Sequence, residues 1–343
     1  MGNTTNSVPA SSSALLAPYL SASDRLFGSN VTEIALRQTG IERVYTYQSP
    51  ILIPYKLQAK FADMLSKISG IRYVGALVAS HTRYHQLGPY ADYVLTAPTL
   101  GEALQRGCRA LRSIAFNVEV RLLADGEKCF LAFECDIGGA LGKNQIEEAT
   151  VMQMINLFRC YTNPQWTPDL VCLTVESDFS CSSKIDIFGT QVALTEGPPG
   201  FWFSSSILAN RAVSNLEFST RKILSTEELQ RAYGYLDLSK FSNLVKNLIL
   251  MNLKSSSLSA DYIAQSIGLG VRTMQRRLMV EGETFQSCLG QARLQRAGEL
   301  LQQTDLTVDE ISQHLGYLES NSFRRAFRKW HGMSPSDWKK TNS

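Results

Sequence analysis

The last hundred residues carry one pattern twice, 48 positions apart, and that repeat limits what the chain can build more than any other feature. The first copy reads Ile263-Ala264-(x)2-Ile267-Gly268-Leu269, then Arg272-Thr273-Met274-Gln275-Arg276-Arg277-Leu278. The second reads Ile311-Ser312-(x)2-Leu315-Gly316-Tyr317, then Phe323-Arg324-Arg325-Ala326-Phe327-Arg328-Lys329-Trp330. Ala264 and Ser312 are small enough for one helix to lie close to the next, and Gly268 and Gly316 permit a left-handed turn between them. Met274 and Leu278, or Phe323 and Phe327, then hold the second helix against a core. Each copy reads as a helix-turn-helix, and two in tandem imply a head that enters neighbouring major-groove segments of one DNA duplex.

Charge agrees with that reading once it is divided. The chain has 34 Lys+Arg against 31 Asp+Glu, but residues 1–252 carry 22 of each and residues 253–343 carry 12 against 9. The whole positive excess lies in the segment with the repeat, where phosphate attraction needs it. A 44% hydrophobic, 19% charged chain of 343 residues is that of a globular protein with room for two cores. No apolar run approaches the ~20 residues that cross a bilayer, so no membrane partner is expected. The seven cysteines are odd in number and lack any CxxC pair, which favours reduced thiols in a cytoplasmic protein over a disulfide or zinc framework.

Local signals divide the chain. Residues 1–20, rich in Ser, Thr, Asn and Ala, read as a loose, disordered tail. Residues 21–215 mix strand and helix patterns. Val118, Val120 and Leu122 alternate before the turn-forming Ala124-Asp125-Gly126-Glu127, and Cys129–Cys135 answers as the second arm of a hairpin. Further strands are expected at Leu170–Val175 and Gln191–Thr195, with helices over roughly 56–69, 99–113 and 144–160. Residues 216–240 read as a linker, partly helical at Thr226-Glu227-Glu228-Leu229. From 241 on, short helices follow one another, with caps expected from Ser259, Thr284 and the Thr307/Glu310 capping box, and with Pro335 at a tolerated first position. The fold class is therefore α+β: a mixed α/β domain followed by an all-α domain with two helix-turn-helix motifs.

On the first recognition helix the outward face carries Arg272, Gln275 and Arg276, suited to base edges: Arg to guanine O6/N7 and Gln to adenine N6/N7. On the second, Ser320, Asn321, Arg324 and Arg325 hold the corresponding turns. Arg277, Thr273 and Lys329 are assigned to phosphates, which position the protein without specifying sequence. A connecting helix of about 19 residues would be a rod of about 28 Å, comparable with the ~34 Å repeat of the major groove on one face.

With these residues in hand, 241–343 resembles the DNA-binding domain of the AraC/XylS family of bacterial transcription regulators. The resemblance rests on Ile267–Leu278, on Ala292-Arg293-Leu294-(x)2-Ala297-(x)2-Leu300-Leu301, and on Leu315–Pro335 with Gly316-Tyr317, Arg325-Ala326-Phe327 and Gly332-Met333-Ser334-Pro335. Two departures stand out: Gly270 replaces a Ser-type cap, and Leu318 stands where a Ser-like residue is common. Ala97–Leu104 and Phe188–Val192 resemble the arabinose-binding-type sensor domain of one AraC subfamily. The resemblance implies double-stranded promoter DNA as partner, a small-molecule effector, homodimerisation through the N-terminal domain, and RNA polymerase as a partner if the protein is an activator.

Aromatic density suggests Tyr47, Trp166 and Trp202 as ligand-binding residues, with core packing the ordinary alternative for such side chains. His81 and His85 are spaced i, i+4 but lack the intervening Glu of a zinc-protease helix, and Gly138–Lys143 lacks the Ser/Thr of a phosphate loop. No metal, cofactor or catalytic residue is therefore expected. Two other readings stay open: a constitutive DNA-binding regulator whose N-terminal domain only dimerises, and a DNA-repair enzyme with an appended AraC-like module. The latter lacks any cysteine in a Pro-Cys-His-Arg context.

Overall fold

The computed structural model describes residues 8–41, 43, 51–174, 181–212, 225–233, 240–253, 258–304 and 306–342. The chain divides into two compact units, Met1–Leu236 and Asp237–Ser343. Among the described residues no helix is long and apolar enough to cross a membrane.

The first unit is built on two sheets. A three-stranded antiparallel sheet places β1 (Ala10–Ser12) between β2 (Leu52–Pro54) and β3 (Ala115–Phe116). A five-stranded mixed sheet runs β4-β5-β8-β6-β7, from β4 (Val118–Asp125), β5 (Lys128–Cys135), β6 (Leu170–Thr174), β7 (Val192–Thr195) and β8 (Gly200–Ser204). The β4–β5 hairpin closes at Gly126-Glu127 in the register Asp125 opposite Lys128, with Gly126 at φ +59°. Glycine at positive φ in the first central position, followed by Glu127, is the Gly-X pattern of a two-residue type II′ hairpin.

The described residues of this unit form nine α-helices: α1 (Ala17–Phe27), α2 (Ser29–Arg37), α3 (Tyr55–Ser69), α4 (Val74–Ser80), α5 (Pro89–Leu95), α6 (Leu100–Ile114), α7 (Lys143–Arg159), α8 (Cys181–Phe188) and α9 (Thr226–Ala232). The three helices expected from periodicity correspond to α3, α6 and α7. Helix α7 lies against the five-stranded sheet. Its Phe158 ring meets Phe201 and Phe203 edge-on at 5.0 and 4.8 Å. The two-residue period of β8 sends those rings inward and Trp202 to the opposite face, over Phe130 at 5.1 Å.

Two expectations about chain ends are corrected. Described residues 8–20 are no loose tail: Ser11, Ser12 and Ser13 are all but inaccessible, in and beside a central strand. Their hydroxyls explain how so polar a segment is buried. Ser11 Oγ accepts from Gln58 Nε2 at 3.0 Å, Ser12 Oγ donates to the Tyr233 carbonyl at 3.4 Å, and Ser13 Oγ accepts from the Ile51 amide at 2.9 Å. A buried hydroxyl with a partner avoids the desolvation penalty of an orphaned one. Residues 226–233 are likewise more than a linker, since Leu229 and Tyr233 are buried in the first unit's core.

The second unit has seven helices among its described residues: α10 (Phe241–Met251), α11 (Ala260–Ser266), α12 (Val271–Val280), α13 (Phe285–Gln303), α14 (Val308–His314), α15 (Ser320–His331) and α16 (Pro335–Asn342). The cap residues read from the sequence make the expected bonds. Ser259, Thr284 and Thr307 accept from the amides of Tyr262, Ser287 and Glu310, and the last two form capping boxes. The backbone amide and hydroxyl of Thr307 hold the Glu310 carboxyl below the usual carboxylate range. Glu281, just past α12, caps α10 across space by accepting from the amides of Phe241 and Ser242 at 2.6 and 2.8 Å.

Candidate functional site

The two helix-turn-helix copies have the same backbone geometry. Gly268 and Gly316 sit at φ +71° and +70°, the left-handed region that a β-carbon disfavours. In the first copy the Leu269 amide donates to Ala264 O at 2.9 Å; in the second, Tyr317 donates to Ser312 O at 3.1 Å. Gly316 has a further constraint: a β-carbon there would lie 2.5 Å from the carbonyl oxygen of Leu253. Ala264 and Ser312 are buried, as close helix approach requires, and Met274, Leu278, Phe323 and Phe327 are fully buried beneath the second helices. Each such apolar side chain contributes about 1.5–3 kcal/mol to holding its helix down.

Outward on the first turns of α12 are Arg272, Gln275 and Arg276, all exposed, with Thr273 half-buried beside them, and Met279 and Val280 are exposed at its end. On α15, Asn321, Arg324, Arg325 and Lys329 are exposed and Ser320 half-buried. Asn321, Arg324, Arg325 and Lys329 line one shallow groove together with Arg328 and Glu319. Arg328 is a residue the sequence reading passed over. It lies four positions after Arg324 on the same helical stripe, a spacing that was visible in the sequence. Arg324 also pairs with Asp309 of α14 at 3.1 Å, an exposed contact weak enough to exchange for a base edge. Leu318 stands fully exposed at the entrance to α15, and Gly270 supplies no side-chain cap to α12.

Arg277 departs from its expected role. Its guanidinium lies over the Phe241 ring at 5.4 Å, and its Nη1 is buried without a hydrogen-bond partner. Burial, then the neighbouring Arg276 charge, pulls its pKa down. One step along a helix turns a side chain by about 100°, which carries Arg277 from the Arg276 face towards α10. Here it packs against α10 instead of standing clear beside Arg276.

Arg293 of α13 is a second residue whose role sequence reasoning missed, although it fell within a motif quoted for the resemblance. Its Nε and Nη2 donate to the carbonyls of Leu315 and Gly316 at 3.0 and 3.1 Å, and its guanidinium stacks on Tyr317 at 4.3 Å. The connecting helix thus grips the turn of the second head by three contacts from one side chain.

The first unit has a partly open pocket of about 200 Å³ between α1, α3, α6, α7 and the sheet. Four phenols reach it, from Tyr19, Tyr55, Tyr84 and Tyr90. Burial pushes the Tyr90 phenol up to about 12 and those of Tyr19, Tyr55 and Tyr84 well above their ordinary value, so all four are neutral near pH 7. Neither expected tryptophan lines this space. Trp166 stacks on Phe158 at 5.0 Å in the aromatic core, and Trp202 occupies the outer sheet face. Tyr47 lies outside the described residues. Beside the pocket, Tyr233 holds the turn that leads into α5: its hydroxyl donates to the Leu87 carbonyl and accepts from the Tyr90 amide at 3.0 Å.

Two turn-and-helix copies with matching turns and arginine-bearing outer faces, preceded by a separate domain with its own pocket, define the class of two-domain helix-turn-helix regulators. Comparison with known proteins gives the family. Residues 33–212 match the arabinose-binding domain of AraC transcription regulators, N-terminal, and residues 263–341 match a helix-turn-helix domain. The chain belongs to the AraC family of transcription regulators. It is 28% identical over 257 residues to the ornithine utilization regulator of Pseudomonas aeruginosa, covering 72% of each chain. It is 41% identical over 76 residues to an uncharacterized HTH-type transcriptional regulator of Mycobacterium tuberculosis, a match spanning 22% of each. The crystal structure of the transcriptional regulator CdpR from P. aeruginosa aligns over 91% of this chain and 97% of its own, at 17% identity and a TM-score of 0.36.

Proposed function

We propose that the protein is an effector-responsive transcription activator that reads two adjacent major-groove segments of a promoter. The observation that carries this is the duplicated turn, with Arg272, Gln275 and Arg276 outward on one recognition helix and Asn321, Arg324 and Arg325 outward on the other. Arg and Gln or Asn forks discriminate bases by about 1–3 kcal/mol per bidentate pair, while Lys329 and Thr273 serve phosphates and Ser320 completes the base-reading turn. Arg328 joins the phosphate-contacting set. The connecting helix Phe285–Gln303, 19 residues, gives a rod of about 28 Å, so one chain spans adjacent grooves without dimerising.

The cavity in the first unit is where an effector would act. The segment leading to residue 237 starts from Tyr233, whose hydroxyl bonds to Leu87 and Tyr90, both cavity-lining residues. A ligand that favours one arrangement of that wall shifts the population of DNA-competent chains by its differential affinity. In this reading the protein works in the cytoplasm, catalyses no reaction, engages RNA polymerase at the promoter and dimerises, if it does, through the first unit.

The test is fluorescence anisotropy of the full chain with its own upstream region against a scrambled duplex of equal length. Sequence-selective binding at moderate salt is the expected result. Failure to bind any duplex at low salt rejects the reading, and binding that no metabolite alters would leave a constitutive regulator.

A further inference from the structure

We infer that two copies of the protein join edge to edge, residues 121–125 of β4 in one pairing antiparallel with the same residues of the other. This rests on the reading that dimerisation runs through the first unit, and gives that contact a place and a register.

Strand β4 is the outer strand of the five-stranded sheet, with β5 on one side. Backbone parity decides which of its groups face away. Phe133 of β5 donates to the Pro199 carbonyl, on the β8 side. The odd residues of β5 therefore bond towards β8 and its even residues towards β4, where they meet odd partners such as Leu123 and Arg121. That leaves the amides and carbonyls of Val118, Val120, Leu122 and Ala124 pointing out of the sheet. The Val120 carbonyl is met from α6, where the Cys108 thiol donates to it at 3.5 Å. Past that contact the edge is open: Arg121, Leu122, Leu123, Ala124 and Asp125 are all exposed. This stretch contains neither the Pro nor the Lys that commonly blunts a free edge.

A second copy placed about a two-fold axis through Leu123 satisfies that edge. Leu122 and Ala124 then face the partner's Ala124 and Leu122, two pairs that each exchange both backbone bonds. On the outer face Leu123 meets its own counterpart. Arg121 and Asp125 stand equally far on either side of Leu123, so each meets the other in the partner, and opposite charges directly across a strand pair are stabilising. Sliding the partner by two residues sets Glu119 against Asp125, and by four sets Arg121 against itself, so charge selects one register. Arg121 already contacts Glu119 at 2.9 Å and Glu134 at 3.3 Å, but these are exposed, weak pairs and a guanidinium has five donors to share.

The apolar pattern points the same way. Leu170, Trp202, Phe130 and Leu123 stand directly opposite one another across β6, β8, β5 and β4, on the outer face. The row ends at the sheet edge with Leu123 50% exposed. The two-fold axis continues it into the same row of the partner, one self-complementary patch serving both copies.

The experiment uses the full chain. Sedimentation velocity over a range of concentrations should show a reversible monomer–dimer equilibrium. Arg121→Asp and Asp125→Arg each turn two attractive pairs into two repulsive ones and should each weaken association at least about tenfold. The double variant restores opposite charges in reversed order and should return association to within about threefold of the parent, which a merely structural role for either residue would not do. Leu123→Cys under mild oxidation should cross-link to the same position of the partner, located by peptide mass mapping, because directly opposed residues that do not share backbone bonds lie about 4.5 Å apart at Cα. Leu122→Cys, on the other face, should not cross-link to itself. The cross-link decides the matter if a charge swap fails to fold. A chain that stays monomeric to its solubility limit, single swaps that leave association unchanged, a double variant as weak as the singles, or a cross-link at 122 and not at 123 overturns the inference. A dimer that binds no duplex keeps this interface and fails the regulator reading; a monomer that binds its promoter does the reverse.

Discussion

Replacing Arg293 by Ala removes three contacts between α13 and the turn of the second head at once, and the structure gives their size. Two are charge-assisted bonds to the carbonyls of Leu315 and Gly316 at 3.0 and 3.1 Å. Fully buried, such bonds are worth about 1.5–3 kcal/mol each, but Arg293 is half-exposed, so roughly 1 kcal/mol for the pair is the discounted figure. The stacking on Tyr317 at 4.3 Å adds about 0.5–1 kcal/mol. The sum is about 2 kcal/mol, concentrated at the turn that Gly316 makes against Leu253. Urea unfolding of the full chain, followed by the fluorescence of Trp330 and Trp338 with Trp166 and Trp202 replaced by Phe, isolates the transition of the second unit. Arg293→Lys should recover less than half of the loss, because an ammonium cannot fork two carbonyls and lie flat on a ring. If Arg293→Ala unfolds within 0.5 kcal/mol of the parent, or if Lys restores it fully, the clamp is misassigned.

Arg276→Ala and Arg325→Ala should each weaken specific DNA binding by about 1–3 kcal/mol and relax base preference, whereas Lys329→Ala should weaken all sequences and lower the salt slope by about one. Selection of binding sites from a random pool, with affinities at several salt concentrations, separates the two classes; identical behaviour refutes the division. Arg277→Leu, stripping a guanidinium that lies on Phe241, should leave the salt slope unchanged while shifting the melting temperature of the second unit. A slope reduced by one would return Arg277 to the phosphate-contacting set. In the first unit, Lys184→Met takes away a cation paired with the buried Glu148 and should destabilise the fold, by up to about 3–5 kcal/mol, in a denaturant titration. Recovery in the double variant Glu148→Gln/Lys184→Met checks that the buried charge, not lost packing, is responsible.

The helical unit was legible because its determinants are local. Caps at Ser259, Thr284 and Thr307, and positive-φ glycines at 268 and 316, are properties of three to six consecutive residues. The first unit was legible where a pattern was local, as in the alternation of the β4–β5 hairpin and the helical periodicity of α3, α6 and α7. Strand β1 has no such pattern: Ala10-Ser11-Ser12 has neither β-branching nor alternation, and its pairing partners lie some 40 and 105 positions away at Leu52–Pro54 and Ala115–Phe116. The cavity was hidden for the same reason. Its walls come from elements spread over residues 11–157, which no local pattern brings together. Trp166 and Trp202 drew attention as large aromatics, yet sheet pleat and core packing direct them elsewhere. At Arg276 and Arg277 the ambiguity was angular: adjacent basic residues share a sequence context, but only one can face away from α10.

The account stands most directly on hydroxyl-radical and methylation footprinting of the full chain on its own promoter, with Arg276→Ala and Arg325→Ala alongside. It predicts two protected major-groove tracts on one face of the duplex, centred about 10–10.5 base pairs apart, with each variant losing one tract and keeping the other. A single tract, or two that both vanish with either variant while the protein stays folded, would contradict a bipartite head.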